Sequence, residues 1–138
     1  MIVASAGQET VDFDDVMLER HYDPSLAYHR SKLAQIMTAF DLAQRLPAGV
    51  TANAIHPSTY MPTKLLADSM DPTTDLSEGV EAVLALALDQ AYEEVSGDYI
   101  NVNEPAQAHP QAYDEEARER LREVSERAIR EALAGFDG

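Results

Sequence analysis

The sequence predicts an α/β fold, part of a doubly wound parallel sheet, and three observations carry that expectation. Short β-prone runs alternate with helical stretches in the order strand, helix, strand, helix, strand, helix. Each helical stretch opens on an aspartate, at Asp23, Asp75 and Asp114. Each strand-like run is bounded by glycine or proline, at Gly7, Pro57 and Gly97. Strands separated by helices pair in parallel through crossovers. The expectation is about three strands with crossover helices and a C-terminal helix, in a single partial domain over residues 1–138.

Ile2-Val3-Ala4-Ser5 reads as a buried strand closed by Ala6-Gly7. The polar stretch to His21 reads as a surface loop, with room for a short turn of helix. Asp23-Pro24 is an N-cap followed by proline at the first helical position. Leu33, Ile36, Met37, Phe40 and Ala43 then recur at helical spacing until Pro47 and Gly49 stop the run. Val50 to Ile55 reads as the second strand, ending at His56-Pro57, and Ser58 to Thr74 as loop, with a short helix around Lys64 to Met70.

The next helix starts at Asp75, with Glu78 spaced for a capping box. Asp98 to Val102 reads as the third strand, and Asn103 to Ala112, with its two prolines, as a linker-like loop. From Asp114 to Ala134 the chain is amphipathic. Ala117, Leu121, Val124 and Ala128 share one side, and the spacing pairs Glu116 with Arg120 and Glu123 with Arg127. Gly135 is placed as the C-cap.

Composition narrows the function. With no cysteine, disulfides, thiolate metal sites and cysteine nucleophiles are excluded. The net charge of −15 disfavours nucleic acid, and no Lys/Arg stripe offsets it. The acidic excess is read as a solubilising surface, with adaptation to high salt as the other reading. The longest apolar run, Ala82 to Leu88, is too short to span a bilayer. Nothing basic precedes the apolar residues at the start, so no secretory signal is read and a cytoplasmic location is expected. His21, His29, His56 and His109 are scattered without metal-ligand spacing, and Asp12, Asp14 and Asp15 lack the glycine and distal glutamate of a calcium loop.

The chemistry-bearing feature is Tyr28 with Lys32. Four residues apart on a helix, their side chains share one face, roughly 6 Å apart along the axis. A phenol ordinarily titrates near pH ~10, and a neighbouring ammonium lowers that value by favouring the phenolate. Such a pair can move a proton at an alcohol or carbonyl oxygen. By itself the spacing is more often an amphipathic tyrosine beside a solvated lysine.

The neighbourhood is more specific. Ala27-Tyr28-His29-Arg30-Ser31-Lys32-Leu33-Ala34-Gln35 resembles the catalytic helix of the short-chain dehydrogenase/reductase family, in its retinol-dehydrogenase-like branch. Ile2 to Gly7 resembles that family's catalytic-serine strand, and Val11 to Val16 the loop that follows it. Val50 to Pro57 resembles the next strand, and Ser96-Gly97-Asp98-Tyr99 the approach to the last one. The resemblance covers nearly the whole chain and corresponds to the family's C-terminal, catalytic half.

It implies a Rossmann-like sheet, NAD or NADP as cofactor, and hydride exchange with a small carbonyl or alcohol substrate. By the same resemblance Tyr28 is the acid/base, Lys32 lowers its pKa and holds the nicotinamide ribose, and Ser5 steadies the substrate oxygen. Pro57, Ser58 and Thr63 fall where the family's loop touches the nicotinamide end, though taken alone they are turn residues. Tyr60 and Met61 line a substrate pocket or merely pack the loop.

The sequence departs from the family in three places. The usual serine pair is Ala4-Ser5, the Pro-Gly turn is Pro57-Ser58, and Thr63 lies one residue further along than usual. The six glycines form no cluster able to approach a pyrophosphate, so the adenine side of the cofactor has no recognisable site. The family's catalytic asparagine and cofactor-binding half are expected to be absent. An open strand edge would then favour self-association or a partner half-domain. Three readings follow: an oxidoreductase read from part of a longer frame, a catalytic half completed by another chain, or an inactive remnant.

Overall fold

A computed structural model describes residues 1–66 and 70–135. The elements are β1 (Ile2–Val3), α1 (Pro24–Arg45), β2 (Ala54–His56), α2 (Leu76–Leu88), β3 (Tyr99–Asn101), β4 (Glu104–Ala106) and α3 (Glu115–Ala134). Short 3-10 turns occupy Gln90–Tyr92 and Pro110–Tyr113. The sheet has the order β1-β2-β3-β4, with the first three strands parallel and β4 antiparallel to β3.

Alternation along the strands builds two layers of core. Ala54 and Tyr99 face one side, where they meet Leu33, Ile36, Met37 and Phe40 of α1 and Ala117 and Leu121 of α3. Ile55 and Ile100 face the other, against Ala82 and Leu86 of α2. α1 forms where the sequence predicts it. Asp23 Oδ1 accepts from the Leu26 N–H at 2.7 Å, a cap worth about 1 kcal/mol, and Pro24 opens the helix.

The expected α/β architecture with parallel strands and crossover helices is present, and β4 adds a strand where a loop was expected. The chain turns at Val102 and Asn103, and β4 lies along the outer edge of β3. Val102 adopts φ 58°, a conformation that a β-branched residue rarely takes. Pro105 sits on an edge strand, where its missing N–H costs no ladder bond.

Local expectations also change. The 8–21 stretch contains turns and no helix, and it is not wholly a surface loop, because Val11 and Leu18 are buried. Gln111 clasps Val11 through both backbone groups, at 2.8 and 3.0 Å. The capping box at Asp75 does not form: Asp75 makes no side-chain cap, and Glu78 instead binds the Ser58 hydroxyl. The short helix expected around Lys64 to Met70 lies partly outside the described residues, and a turn occupies 64–65.

On α3 the ion pairs differ from those expected. Arg122 pairs with Glu119 and Glu126, Arg130 with Glu126, and Arg120 reaches Asp14 across the fold. Ala128 is exposed rather than packed, because α3 runs past the body of the core after Leu121. Among the described residues, no helix is long and apolar enough to cross a membrane.

Candidate active site

In an open sheet with parallel strands, ligands meet the carboxyl ends of the strands. β1 leads there into Ser5, and β2 ends in His56 and continues into Pro57-Ser58. Ser5 is buried. Its carbonyl accepts from the Tyr99 hydroxyl at 3.1 Å and from Gln8 Nε2 at 3.2 Å, which ties it to β3 and the following loop. Its Oγ accepts from the Gly7 N–H at 3.1 Å. Among the described residues the Ser5 hydroxyl proton has no acceptor, so it is free to donate.

Tyr28 and Lys32 lie in the first half of α1, on one face. The Lys32 ammonium is 5.5 Å from the centroid of the Tyr28 ring. It donates to Gln35 Oε1 at 3.1 Å and to the Val3 carbonyl at 3.4 Å. These bonds hold the ammonium between the Tyr28 face and the end of β1. Partial burial pushes the Lys32 pKa below its ordinary value, because desolvation disfavours the charged form. The Tyr28 hydroxyl has no protein partner among the described residues, and the ring is half-buried.

Gly7 brings α1 and the serine loop together, a role that strand-end reading alone misses. A Cβ at Gly7 would stand 2.5 Å from His29 Cδ2, so only glycine allows the His29 ring to close over this turn. His29 is fixed in turn by the Ser25 carbonyl, 2.7 Å from its Nδ1, and its ring meets Tyr28 edge-on at 5.5 Å. His29 is therefore a packing residue of the site. The sequence carried a weak signal for this, a glycine two residues after the serine and a histidine beside the tyrosine.

The loop after β2 is pinned to α2. Pro57 and Ser58 are buried. Ser58 Oγ lies 3.0 Å from Glu78 Oε1 and 2.9 Å from Thr74 Oγ1, while Thr74 donates to the Thr59 carbonyl at 2.7 Å. Met61 packs directly onto Gly79, so it fills the loop–helix junction. His56 Nε2 sits 3.0 Å from Thr59 Oγ1, and burial pushes the imidazole pKa below its ordinary value. Thr63 is exposed, and its Oγ1 accepts from the Leu65 N–H at 3.3 Å. The structure thus gathers Ser5, Tyr28 and Lys32 about the end of β1, engages Ser58 with α2, and leaves Thr63 on the exposed part of the loop.

The chain is similar to several known proteins. Human WW domain-containing oxidoreductase is 29% identical over 159 residues, covering 100% of this chain and 38% of its own length. Human retinol dehydrogenase 14 is 31% identical over 84% of this chain and 39% of its own length. Human retinol dehydrogenase 13 is 32% identical over 86% and 41% respectively. The chain spans about two fifths of the length of these relatives, matching their C-terminal part. No protein-family profile matches the chain. An uncharacterised protein from Mycobacterium paratuberculosis has the same fold, with a TM-score of 0.66 at 23% identity over 91% of this chain and 47% of its own. Sequence and fold together place this chain in the short-chain dehydrogenase/reductase family, as a counterpart of the C-terminal part of its retinol-dehydrogenase-like members.

Proposed function

We propose that this chain supplies the acid/base side of a nicotinamide-dependent oxidoreductase site acting on a carbonyl or alcohol. The observation that carries the reading is the Lys32 ammonium, held 5.5 Å from the Tyr28 ring at the end of β1. NAD or NADP, when bound, accepts or supplies the hydride. The chain's own residues move the proton and hold the oxygen. Tyr28 gives its phenolic proton to the substrate oxygen on reduction and takes it back on oxidation. Lys32 keeps its ammonium beside the Tyr28 ring. Ser5, with its unclaimed hydroxyl proton, donates to the same oxygen and steadies the charge that develops there.

The residues present fit the nicotinamide–ribose end of the cofactor. Two of the three Lys32 N–H groups have protein acceptors, which leaves one for a ribose hydroxyl. The buried Pro57-Ser58 turn lies at the end of the neighbouring strand. No glycine cluster fits the pyrophosphate.

A second reading has polypeptide beyond these residues, in the same or another chain, contribute the phosphate-binding side, next to the outer edge of β1 that no described strand pairs. An inactive remnant is the third. Nicotinamide-coupled turnover of a panel of secondary alcohols and ketones, with and without Tyr28→Phe, tests the first reading. The expected loss for the variant is about a hundredfold or more. Turnover unchanged by Tyr28→Phe contradicts the role given to Tyr28.

A further inference from the structure

At the end of the sheet away from Ser5, the chain has a groove that the proposed chemistry leaves unused. Ser96 and Gly97 precede β3, so the groove lies at the amino ends of the strands, bounded by α1, α3 and the Pro110–Tyr113 turn. One lobe of 340 Å³ is lined by Phe40, Gln44, Ser96, Gly97, Tyr113 and Arg118. A second lobe of 240 Å³ shares Phe40, Gly97 and Tyr113 and extends to Asp98 and Gln107.

Arg118 is the unusual member. It is 6% exposed, and among the described residues no carboxylate lies within 4.0 Å of it. Nη1 donates to the Ala112 carbonyl at 2.9 Å. Nε is buried without a partner, and Nη2 has none among the described residues. A buried guanidinium ordinarily has its charge paired and its donors satisfied. Here the unpaired atoms, Nε and Nη2, are the parallel donor edge that takes a carboxylate by two bonds.

The rest of the lobe also offers donors. Tyr113 Oη accepts from the Ala108 N–H at 3.0 Å and Ser96 Oγ from the Ala52 N–H at 3.1 Å, so both hydroxyl protons remain unclaimed. The Phe40 and Tyr113 rings, 5.4 Å apart between centroids, supply an apolar wall.

We propose that this groove binds a small organic carboxylate, its charge on Arg118 and its apolar part against Phe40 and Tyr113. The negative net charge of the chain opposes any anion, but beyond about 8 Å it is screened at physiological salt, whereas Arg118 acts at contact. Two bonds to one carboxylate require the side chains that bury Nε to shift. Asp98 in the adjoining lobe limits the ligand to a single negative group at the Arg118 end.

The test is an NMR titration of the full chain with sodium benzoate at about 0.15 M salt, with benzyl alcohol as the uncharged comparison. Saturable shifts of the Gly97, Tyr99 and Tyr113 amides and of the Arg118 Nε–H are expected with benzoate alone. Arg118→Gln should weaken binding about tenfold or more, while Arg122→Gln, whose partners are Glu119 and Glu126, should leave it unchanged. An absence of saturable shifts, equal response to benzyl alcohol, or undiminished binding by Arg118→Gln overturns the proposal. If Arg118→Gln does not fold, the Arg118 Nε–H signal of the unaltered chain decides: movement with benzoate supports the site, and a fixed signal overturns it.

Discussion

Lys32 donates to the carbonyl of Val3, 3.4 Å away, on the edge of β1 that no strand covers among the described residues. The ladder bonds to β2 run from the Ile2 and Ala4 N–H groups to Asn53 and Ile55 at 2.8 and 2.7 Å. In a parallel ladder alternate residues face opposite edges, so the Val3 backbone groups point outward. One lysine therefore sits beside Tyr28 and also covers an open edge, where a charge discourages pairing with another chain. Replacing Lys32 with methionine should raise self-association in sedimentation velocity as well as removing the ammonium from Tyr28. A sedimentation profile identical to that of the unaltered chain contradicts the edge role.

His56 predicts an acid sensitivity. Its folded pKa is depressed from 6.5 by desolvation, so below pH 6.5 the unfolded chain binds a proton that the folded chain resists. Stability should fall as pH drops from 6.5 through the folded value and should level off below it. Denaturant midpoints across this window should fall less for His56→Gln than for the unaltered chain, and equal slopes would remove His56 from the account.

Lys32 has the opposite neighbourhood in pH. Its depressed folded pKa means that the folded chain pays desolvation while Lys32 is charged, and that cost is relieved as pH rises through the folded value toward 10.5. Tyr99 counters it, since burial raises its pKa above 10.0 and stability falls once the unfolded phenol ionises. Lys32→Met should remove the rise and keep the fall. A rise that survives the substitution contradicts the assignment.

Met61 and Gly79 form a close junction between the loop after β2 and α2. Gly79→Ala should cost about 1–3 kcal/mol by forcing the thioether aside. A Met61→Ala change in the same chain should recover part of that cost. A purely additive double mutant in chemical denaturation would show that the two do not touch.

Core and periphery should separate cleanly. Leu33→Ala, at 0% exposure, should cost about 2–5 kcal/mol. Ile129→Ala, at 59% exposure beyond the packed part of α3, should change stability by less than about 0.5 kcal/mol. Comparable losses for both would mean that α3 packs along its whole length.

The sequence made α1 legible almost to the residue, because Asp23, Pro24, the apolar spacing and Pro47 all agree. β4 was illegible for a physical reason: its turn is Val102-Asn103, without the Asn-Gly type of signal, and its Pro105 argues against a strand unless the strand lies on an edge. Glu78 spaced correctly for a cap but found a buried hydroxyl on a different segment, a long-range choice that local spacing does not encode. At the candidate site, Tyr28 and Lys32 were readable because they share one helix. The packing of His29 on Gly7, and the Lys32 bond to Val3, depend on how α1 docks on β1.

Ser5, Tyr28 and Lys32 are proposed to serve a nicotinamide cofactor. Calorimetric titration of the folded chain with NADH and with NADPH tests it most directly. Saturable binding of one of them is expected, weakened about tenfold by Lys32→Ala through loss of the charged donor. Folded chain that binds neither, or binds equally well without Lys32, contradicts it.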